Sequence, residues 1–98
     1  MFKNNRKIIL TPGLVEMGEK EFEINEKFGE MIATSCDICV IVNNYNKEAI
    51  KKGLQNKNFN PKKIYEVESL YLATELFKTI LKKGDVVLIE NDLPDNYR

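Results

Sequence analysis

The chain has 98 residues, which suits one small domain built around a single hydrophobic core. Its 15 lysines and arginines equal its 15 aspartates and glutamates, so the composition shows neither the basic field of a nucleic-acid-binding protein nor the acidic excess of a disordered tail. No apolar stretch approaches the roughly 18 residues of a transmembrane helix, and the first residues, MFKNNRK, lack the apolar region of a signal peptide, so we predict a cytoplasmic protein that binds neither nucleic acid nor membranes.

The first predicted strand, near Ile8 to Thr11, stops abruptly at a proline and a glycine. Pro12 disfavours a helical backbone at Thr11, and Gly13 supplies conformational freedom. The strand end is therefore expected to become a shaped loop before Gly18 opens the next element. We predict that Gly13 and Gly18 shape the backbone rather than contact a ligand.

The segment from Gly18 to about Ser35 is predicted to be a helix, with its acidic residues placed early where the helix dipole favours them. Its core-facing residues should be Ile24, Phe28, Met31 and Ile32. The uninterrupted apolar run from Ile38 to Val42 then predicts a strand covered on both faces, with Val40 buried.

A turn cluster, Asn43 to Asn46, precedes a short helix that Asn46 is expected to cap. The residues of this helix that should face the core are Ala49, Ile50, Gly53 and Leu54. Asn60 and Pro61 stop it, and a strand is predicted near Ile64 to Val67.

Ser69 is expected to cap the last helix, whose end is marked by Lys82, Lys83 and Gly84. Its apolar residues recur at helical spacing: Leu72, Ala73, Leu76, Phe77, Ile80 and Leu81. The run Val86 to Ile89 resembles the earlier apolar run, so we predict a second strand that is covered on both faces, with Val87 buried.

The order βαβαβαβ with short connections predicts an α/β fold: a Rossmann-like three-layer domain with a mainly parallel sheet. In such sheets ligands gather beyond the carboxyl ends of the strands. The candidate substrate-binding residues are the polar side chains at those ends, namely Thr11, Glu16, Asn43, Asn44, Glu90, Asn91 and Asp92.

Several catalytic classes lack their motifs in this sequence. No G-x-x-x-x-G-K-[ST] is present to cradle a triphosphate, and no G-x-G-x-x-G follows a strand. The chain has no histidine, so a Ser-His or Cys-His nucleophile pair is excluded. The first strand also ends without the clustered aspartates of a phosphate-accepting receiver domain. We therefore assign no catalytic residue.

Cys36 and Cys39 form a C-x-x-C, which occurs in redox pairs and in zinc sites. Zinc needs four ligands, and the sequence offers neither a histidine nor a second cysteine pair. A redox pair sits where a helix begins after a strand, whereas Cys36 follows a predicted helix and Cys39 lies inside an apolar run. Both are predicted to be reduced, buried thiols with no metal and no disulfide.

Four segments together resemble the carboxy-terminal domain of the Mur ligases. They are TPGLVEMGE (residues 11–19), NEKFG (residues 25–29), IVN (residues 41–43) and KGDVVL (residues 83–88). The resemblance covers nearly the whole chain and is closest to the members that add D-alanyl-D-alanine to UDP-N-acetylmuramoyl-tripeptide. The ending ENDLPDNY, in place of a Lys-Gly-Ser-Arg segment, resembles one subgroup of the family.

The resemblance implies a three-domain ligase in the cytoplasmic stage of peptidoglycan synthesis, and so in cell wall biogenesis. ATP with Mg²⁺ would activate the peptide carboxylate of the uridine-nucleotide precursor as an acyl phosphate, which the amine attacks. The P-loop domain and the usual first strand of the third domain are missing from residues 1–98. We therefore expect a partial third domain that is inactive alone and binds no cofactor by itself.

The roles of the candidate residues leave alternatives open. Glu16, Glu90 and Asp92 could orient the incoming ammonium group, or they could be ordinary loop acids. Asn43 and Asn44 could contact substrate or only form the turn. The lysines expected to form a solvated face are Lys47, Lys51, Lys52, Lys62 and Lys63. An alternative for the whole chain is a stand-alone Rossmann-like module that binds a ligand or a protein without catalysis.

Overall fold

The computed structural model describes residues 5–14, 18–42 and 46–90. Four strands alternate with three helices: β1 (Lys7–Thr11), α1 (Glu21–Ser35), β2 (Ile38–Val42), α2 (Lys47–Asn56), β3 (Ile64–Val67), α3 (Leu70–Ile80) and β4 (Val86–Ile89). Short 3₁₀ turns, Gly18–Lys20 and Pro61–Lys63, precede α1 and β3. Within the described ranges, no helix has the length and apolar composition needed to cross a membrane.

The four strands form one sheet in the order β3-β2-β1-β4, and every neighbouring pair is parallel. The register aligns Ile9 of β1 with Cys39 of β2 and with Leu88 of β4. The predicted α/β class with a parallel sheet is therefore confirmed, and the strand bounds agree with the prediction to within one residue.

Helices cover both faces of the sheet and give the three predicted layers. Helices α1 and α2 pack on one face, where the buried residues are Ile9, Phe28, Ile32, Cys36, Cys39, Ile41, Ile50 and Leu54. Helix α3 packs on the other face, where the buried residues are Ile8, Leu10, Ile38, Val40, Val42 and Ala73. All five residues of β2 are buried, as predicted for a strand covered on both faces.

Two glycines bring α1 and α2 into backbone contact. A Cβ on Gly53 would lie 1.9 Å from the carbonyl oxygen of Glu26, and a Cβ on Gly29 would lie 2.2 Å from that of Ile50. Both distances are far inside van der Waals contact, so the helices can approach this closely only without those Cβ atoms.

The prediction that β4 is covered on both faces, with Val87 buried, is wrong. Strand β4 lies at the edge of the sheet and Val87 is only half-buried, while Leu88 is 43% exposed and Ile89 69% exposed. Leu88 shares the face of its partner Ile9, where a hollow of about 350 Å³ separates β4 from α1. An apolar run does not distinguish a central strand from an edge strand.

The helices also depart from their predicted core faces. Met31, expected in the core, is 55% exposed because it borders the hollow beside β4. Helix α3 lies alone on its face of the sheet, so Ala73 is its one fully buried side chain among the described residues. Leu81 follows the helix end in an extended conformation, and both Leu72 and Leu81 are exposed.

Of the two predicted helix caps, one is confirmed. The Ser69 hydroxyl accepts a hydrogen bond from the backbone N–H of Leu72 at 3.1 Å, which satisfies a free donor in the first turn of α3. Asn46 precedes α2, but its side chain makes no capping bond. The Asn46 amide donates elsewhere, to the loop after β1.

Ion pairs connect elements that are distant in sequence. Lys47 and Lys51 of α2 approach Glu66 of β3 at 3.2 and 2.7 Å, so these two lysines of the predicted solvated face are ion-paired while their side chains stay partly exposed. The hydrogen bond from Lys51 lowers the pKa of the Glu66 carboxyl. Arg6 binds Asp85 with two hydrogen bonds, at 3.0 and 2.6 Å, and ties the start of β1 to the start of β4.

Candidate functional site

The parallel sheet places the carboxyl ends of its strands along one edge, which we call the carboxyl edge. The last residues of the four strands, in sheet order, are Val67, Val42, Thr11 and Ile89. The N–H of Glu90 still donates to the carbonyl of Leu10 at 2.9 Å, so Glu90 is held beside the end of β1. The topology therefore brings Thr11 and Glu90 together, as the sequence predicts.

Thr11, at the end of β1, is a buried residue of the carboxyl edge. Its side chain is fully buried, and its hydroxyl accepts a hydrogen bond from the N–H of Gly13 at 2.9 Å. This bond closes the turn around Pro12. The Thr11 side chain thus stabilises the loop, and the part of the turn that faces solvent is Pro12, which is half-buried.

Gly13 is tightly enclosed as well as left-handed. Its φ of +91° favours glycine. A Cβ at this position would lie 3.1 to 3.3 Å from side-chain atoms of Asn46, Asn25 and Ile50. The turn is therefore pressed against the amino-terminal parts of both α1 and α2.

Asn25 of α1 holds the next residue of the loop from both sides. Its Oδ1 accepts the N–H of Leu14 at 2.8 Å, and its Nδ2 donates to the carbonyl of Leu14 at 2.7 Å. Nδ2 also donates to the carbonyl of Glu21 at 2.8 Å. The side chain is fully buried with each of its polar atoms bonded, so it carries no desolvation penalty for an unpaired group.

Asn46 adds a second attachment from α2. Its Nδ2 donates to the same Leu14 carbonyl at 3.1 Å. The Leu14 carbonyl therefore receives one hydrogen bond from α1 and one from the residue that precedes α2. We refer to Asn25, Asn46 and the Leu14 backbone together as the asparagine clamp.

A small pocket opens at the carboxyl edge on the α3 side of the sheet. It has a volume of about 160 Å³ and is lined by Leu10, Pro12, Val42, Leu70, Ile89 and Glu90. Its walls are apolar except for Glu90. A larger, more open hollow of about 490 Å³ lies between the end of α2 and the start of β3, beside Lys51, Phe59 and Pro61.

The remaining predicted site residues lie outside the described residues: Glu16, Asn43, Asn44, Asn91 and Asp92. Sequence reasoning missed Asn25, although a signal exists. Asn25 lies three and seven residues before Phe28 and Ile32, so it is a polar residue on the buried stripe of an amphipathic helix. Such a residue must find partners, and here they belong to the loop.

The two cysteines lie away from the carboxyl edge in unreactive surroundings. Cys36 follows the last turn of α1 and Cys39 lies in β2, and both are free and buried. Burial raises the pKa of Cys39 to about 12, and burial followed by the charge of Asp37 raises the pKa of Cys36. Both are therefore protonated at neutral pH and poor nucleophiles. Among residues 5–14, 18–42 and 46–90, no three His, Cys, Asp or Glu side chains cluster as metal ligands would.

A scan against protein-family models gives no match to this chain, and searches of the curated proteins and of the solved structures give none either.

Proposed function

We propose that this chain is the substrate-facing third domain of an ATP-dependent, amide-forming ligase of the Mur type, and that its carboxyl edge receives the amine substrate. The observation that carries the proposal is the pocket at this edge, whose lining residues are apolar except for Glu90, a residue that also borders the hollow between β4 and α1. The sequence resemblance described above supplies the class of reaction. The location supports it, because ligands of parallel α/β sheets bind beyond the carboxyl ends of the strands.

The pocket suits a small amine better than a nucleotide. Its volume of about 160 Å³ is well below the roughly 300–1,000 Å³ of sites for larger ligands. An alanine methyl group would contact Leu10, Pro12 and Ile89, while the ammonium group would meet the carboxylate of Glu90. This lining suits a small amine with a short apolar side chain, and the sequence resemblance names D-alanyl-D-alanine as that amine.

We assign no site for ATP with Mg²⁺ to this chain. The sequence has no phosphate-cradling motif, and the described residues hold no cluster of metal-ligating side chains. The nucleotide would be bound by other domains of the ligase. The contribution of this chain would be to orient the amine and to exclude water from the activated carboxyl group.

The proposal is tested by titrating the ¹⁵N-labelled chain with D-alanyl-D-alanine up to about 10 mM, a range that detects free energies of binding near 4 kcal/mol. Amide shifts should concentrate at Leu10, Val42, Ile89 and Glu90. The Glu90→Gln variant should bind about tenfold more weakly, because it loses the charge that faces the ammonium group. Glu75→Gln, which removes an exposed acid of α3, is the matched control and should bind like the wild type.

Absence of localised shifts in the folded wild-type chain would overturn the proposal. Shifts clustered at Lys51, Phe59 and Pro61 would favour the alternative of a stand-alone binding module that uses the larger hollow. The isolated chain should also leave ATP unhydrolysed. Measurable hydrolysis would contradict the dependence of the reaction on another domain.

A further inference from the structure

The asparagine clamp places a polar side chain, Asn25, at a buried position of α1. Asn25 occupies the stripe of α1 that also carries Phe28 and Ile32, where an apolar side chain would pack without needing hydrogen bonds. A buried amide is tolerated only when its donors and acceptor are all satisfied. Two of the three bonds that satisfy Asn25 go to one loop residue, Leu14.

An amide side chain is suited to binding both backbone groups of Leu14. Holding both the N–H and the C=O of one residue requires an acceptor and a donor on the same short side chain. Asparagine provides both, whereas aspartate at neutral pH provides acceptors only and leucine provides neither. The second donor of Nδ2 is bound to the Glu21 carbonyl, which fixes the amide to its own helix.

The clamp fixes the wall of the pocket through the short turn between them. Leu14 lies two residues after Pro12, and Gly13 between them has the conformational freedom that would otherwise let the turn move. The turn is held at one end by the Thr11 hydroxyl and at the other by Asn25. Pro12, which lines the pocket, is therefore held between two anchored residues.

We propose that Asn25 is a positioning residue: it acts through the Leu14 backbone to hold the Pro12 wall in place for the amine substrate. This inference rests on the proposed function and deepens it, since it assigns part of the binding strength to a residue that touches no ligand. Asn46 acts in the same direction but more weakly, because it supplies one of the two donors to the Leu14 carbonyl.

The test compares Asn25→Ala with a variant that lowers stability without removing a hydrogen bond to the loop. Ile32→Val truncates a buried side chain two turns further along the same helix and serves as that control. Hydrogen exchange of the Leu14 amide, measured well below the unfolding transition, reports the clamp directly. D-alanyl-D-alanine affinity, measured by the same titration, reports its effect on the pocket.

We expect Asn25→Ala to speed exchange of the Leu14 amide roughly tenfold or more and to weaken dipeptide binding by about tenfold. Ile32→Val should leave both unchanged although it lowers the melting temperature. If Asn25→Ala does not fold, Asn46→Ala provides the same readouts with smaller changes, because it removes a donor without removing a helix cap.

If the Leu14 amide exchanges rapidly in the Asn25 variant while the dipeptide binds as before, this inference is overturned and the proposed function is not. The inference is also overturned if exchange at Leu14 does not change, or if Ile32→Val weakens binding equally. A wild-type chain that binds no dipeptide would overturn the proposed function, and this inference with it.

Discussion

Asp85 shows how a single charged side chain connects three parts of the fold. It accepts two hydrogen bonds from Arg6 and one from the backbone N–H of Lys82 at 2.8 Å. Arg6 also donates to the carbonyl of Ile80 at the end of α3. The start of β1, the end of α3 and the start of β4 are thus fixed to one carboxylate, whose pKa the Arg6 hydrogen bonds lower below its usual value.

The lowered pKa predicts a particular dependence of stability on pH. A carboxyl whose pKa is lower in the folded than in the unfolded state stabilises the fold above its unfolded pKa, about 3.9 for aspartate, and loses that effect as pH falls through the folded pKa. Asp85→Asn should therefore lower the urea midpoint at pH 7, and its difference from the wild type should shrink below about pH 4. Urea titrations at a series of pH values measure this difference. A difference that stays constant down to pH 2 would contradict it.

The role of a single polar residue can be predicted from sequence when its hydrogen-bond partner is near in sequence, and cannot when the partner is distant. Ser69 was predicted correctly as a cap because a hydroxyl before an apolar helix has a local partner. Asn46 has the same local signature, but its amide bonds to Leu14, which lies 32 residues earlier. Asn25 was missed for the same reason: its partners on the loop after β1 become neighbours only when the chain folds.

The contact between α1 and α2 depends on glycine at two facing positions. Gly29 and Gly53 let the two helix backbones meet, and this contact holds α1 and α2 in fixed relative positions beneath the asparagine clamp. An apolar stripe alone would predict an ordinary separation of 8–10 Å with interlocking side chains.

Gly53→Ala tests this contact through the sign of the change in the free energy of unfolding. In an unhindered helix this substitution stabilises by up to about 1 kcal/mol, because alanine is the better helix former. Here the new Cβ would lie 1.9 Å from a backbone oxygen of α1, so we expect a loss of about 1–3 kcal/mol from overpacking. Chemical denaturation measures the free energy of unfolding. Lys52→Ala, an exposed substitution on the same helix, should change it little, and stabilisation by Gly53→Ala would show that the helices do not meet at this point.

The fold class of the whole molecule followed from the sequence because alternation of strands and helices with short connections leaves few topologies. The core of α2, including Ile50 and Leu54, followed from helical spacing for a similar reason. The position of each strand in the sheet did not follow. β2 and β4 are both short apolar runs, yet one is central and the other lies at an edge.

The two edges of the sheet differ in character. Strand β3 carries Glu66, which is paired with lysines of α2, and it follows Lys62 and Lys63. Charged side chains of this kind protect an edge from pairing with another sheet. Strand β4 carries no charge between Val86 and Ile89, and it presents exposed apolar side chains on both faces.

We expect this difference to appear as concentration-dependent pairing with a second copy through β4. Leu88→Lys should reduce that association, because a lysine on the edge strand resists the approach of another strand and can extend its charged end into water. Phe22→Lys is the matched control, since Phe22 is an exposed apolar residue of α1 away from the strand edges. Sedimentation equilibrium over a concentration series measures the association. A wild-type chain that stays monomeric throughout, or equal behaviour of the two variants, would contradict this expectation.

Among the described strands, β4 is the edge strand without a charged residue, so each copy offers one such edge for pairing with another copy. When two copies join through β4, the edges left outside are the two charged β3 strands, so neither side of the pair can recruit a third copy. Assembly through this edge therefore stops at the dimer. A concentrated solution of this protein should therefore reach a plateau in mass at two copies, where a sheet with two bare edges would continue to grow into ribbons and fibres.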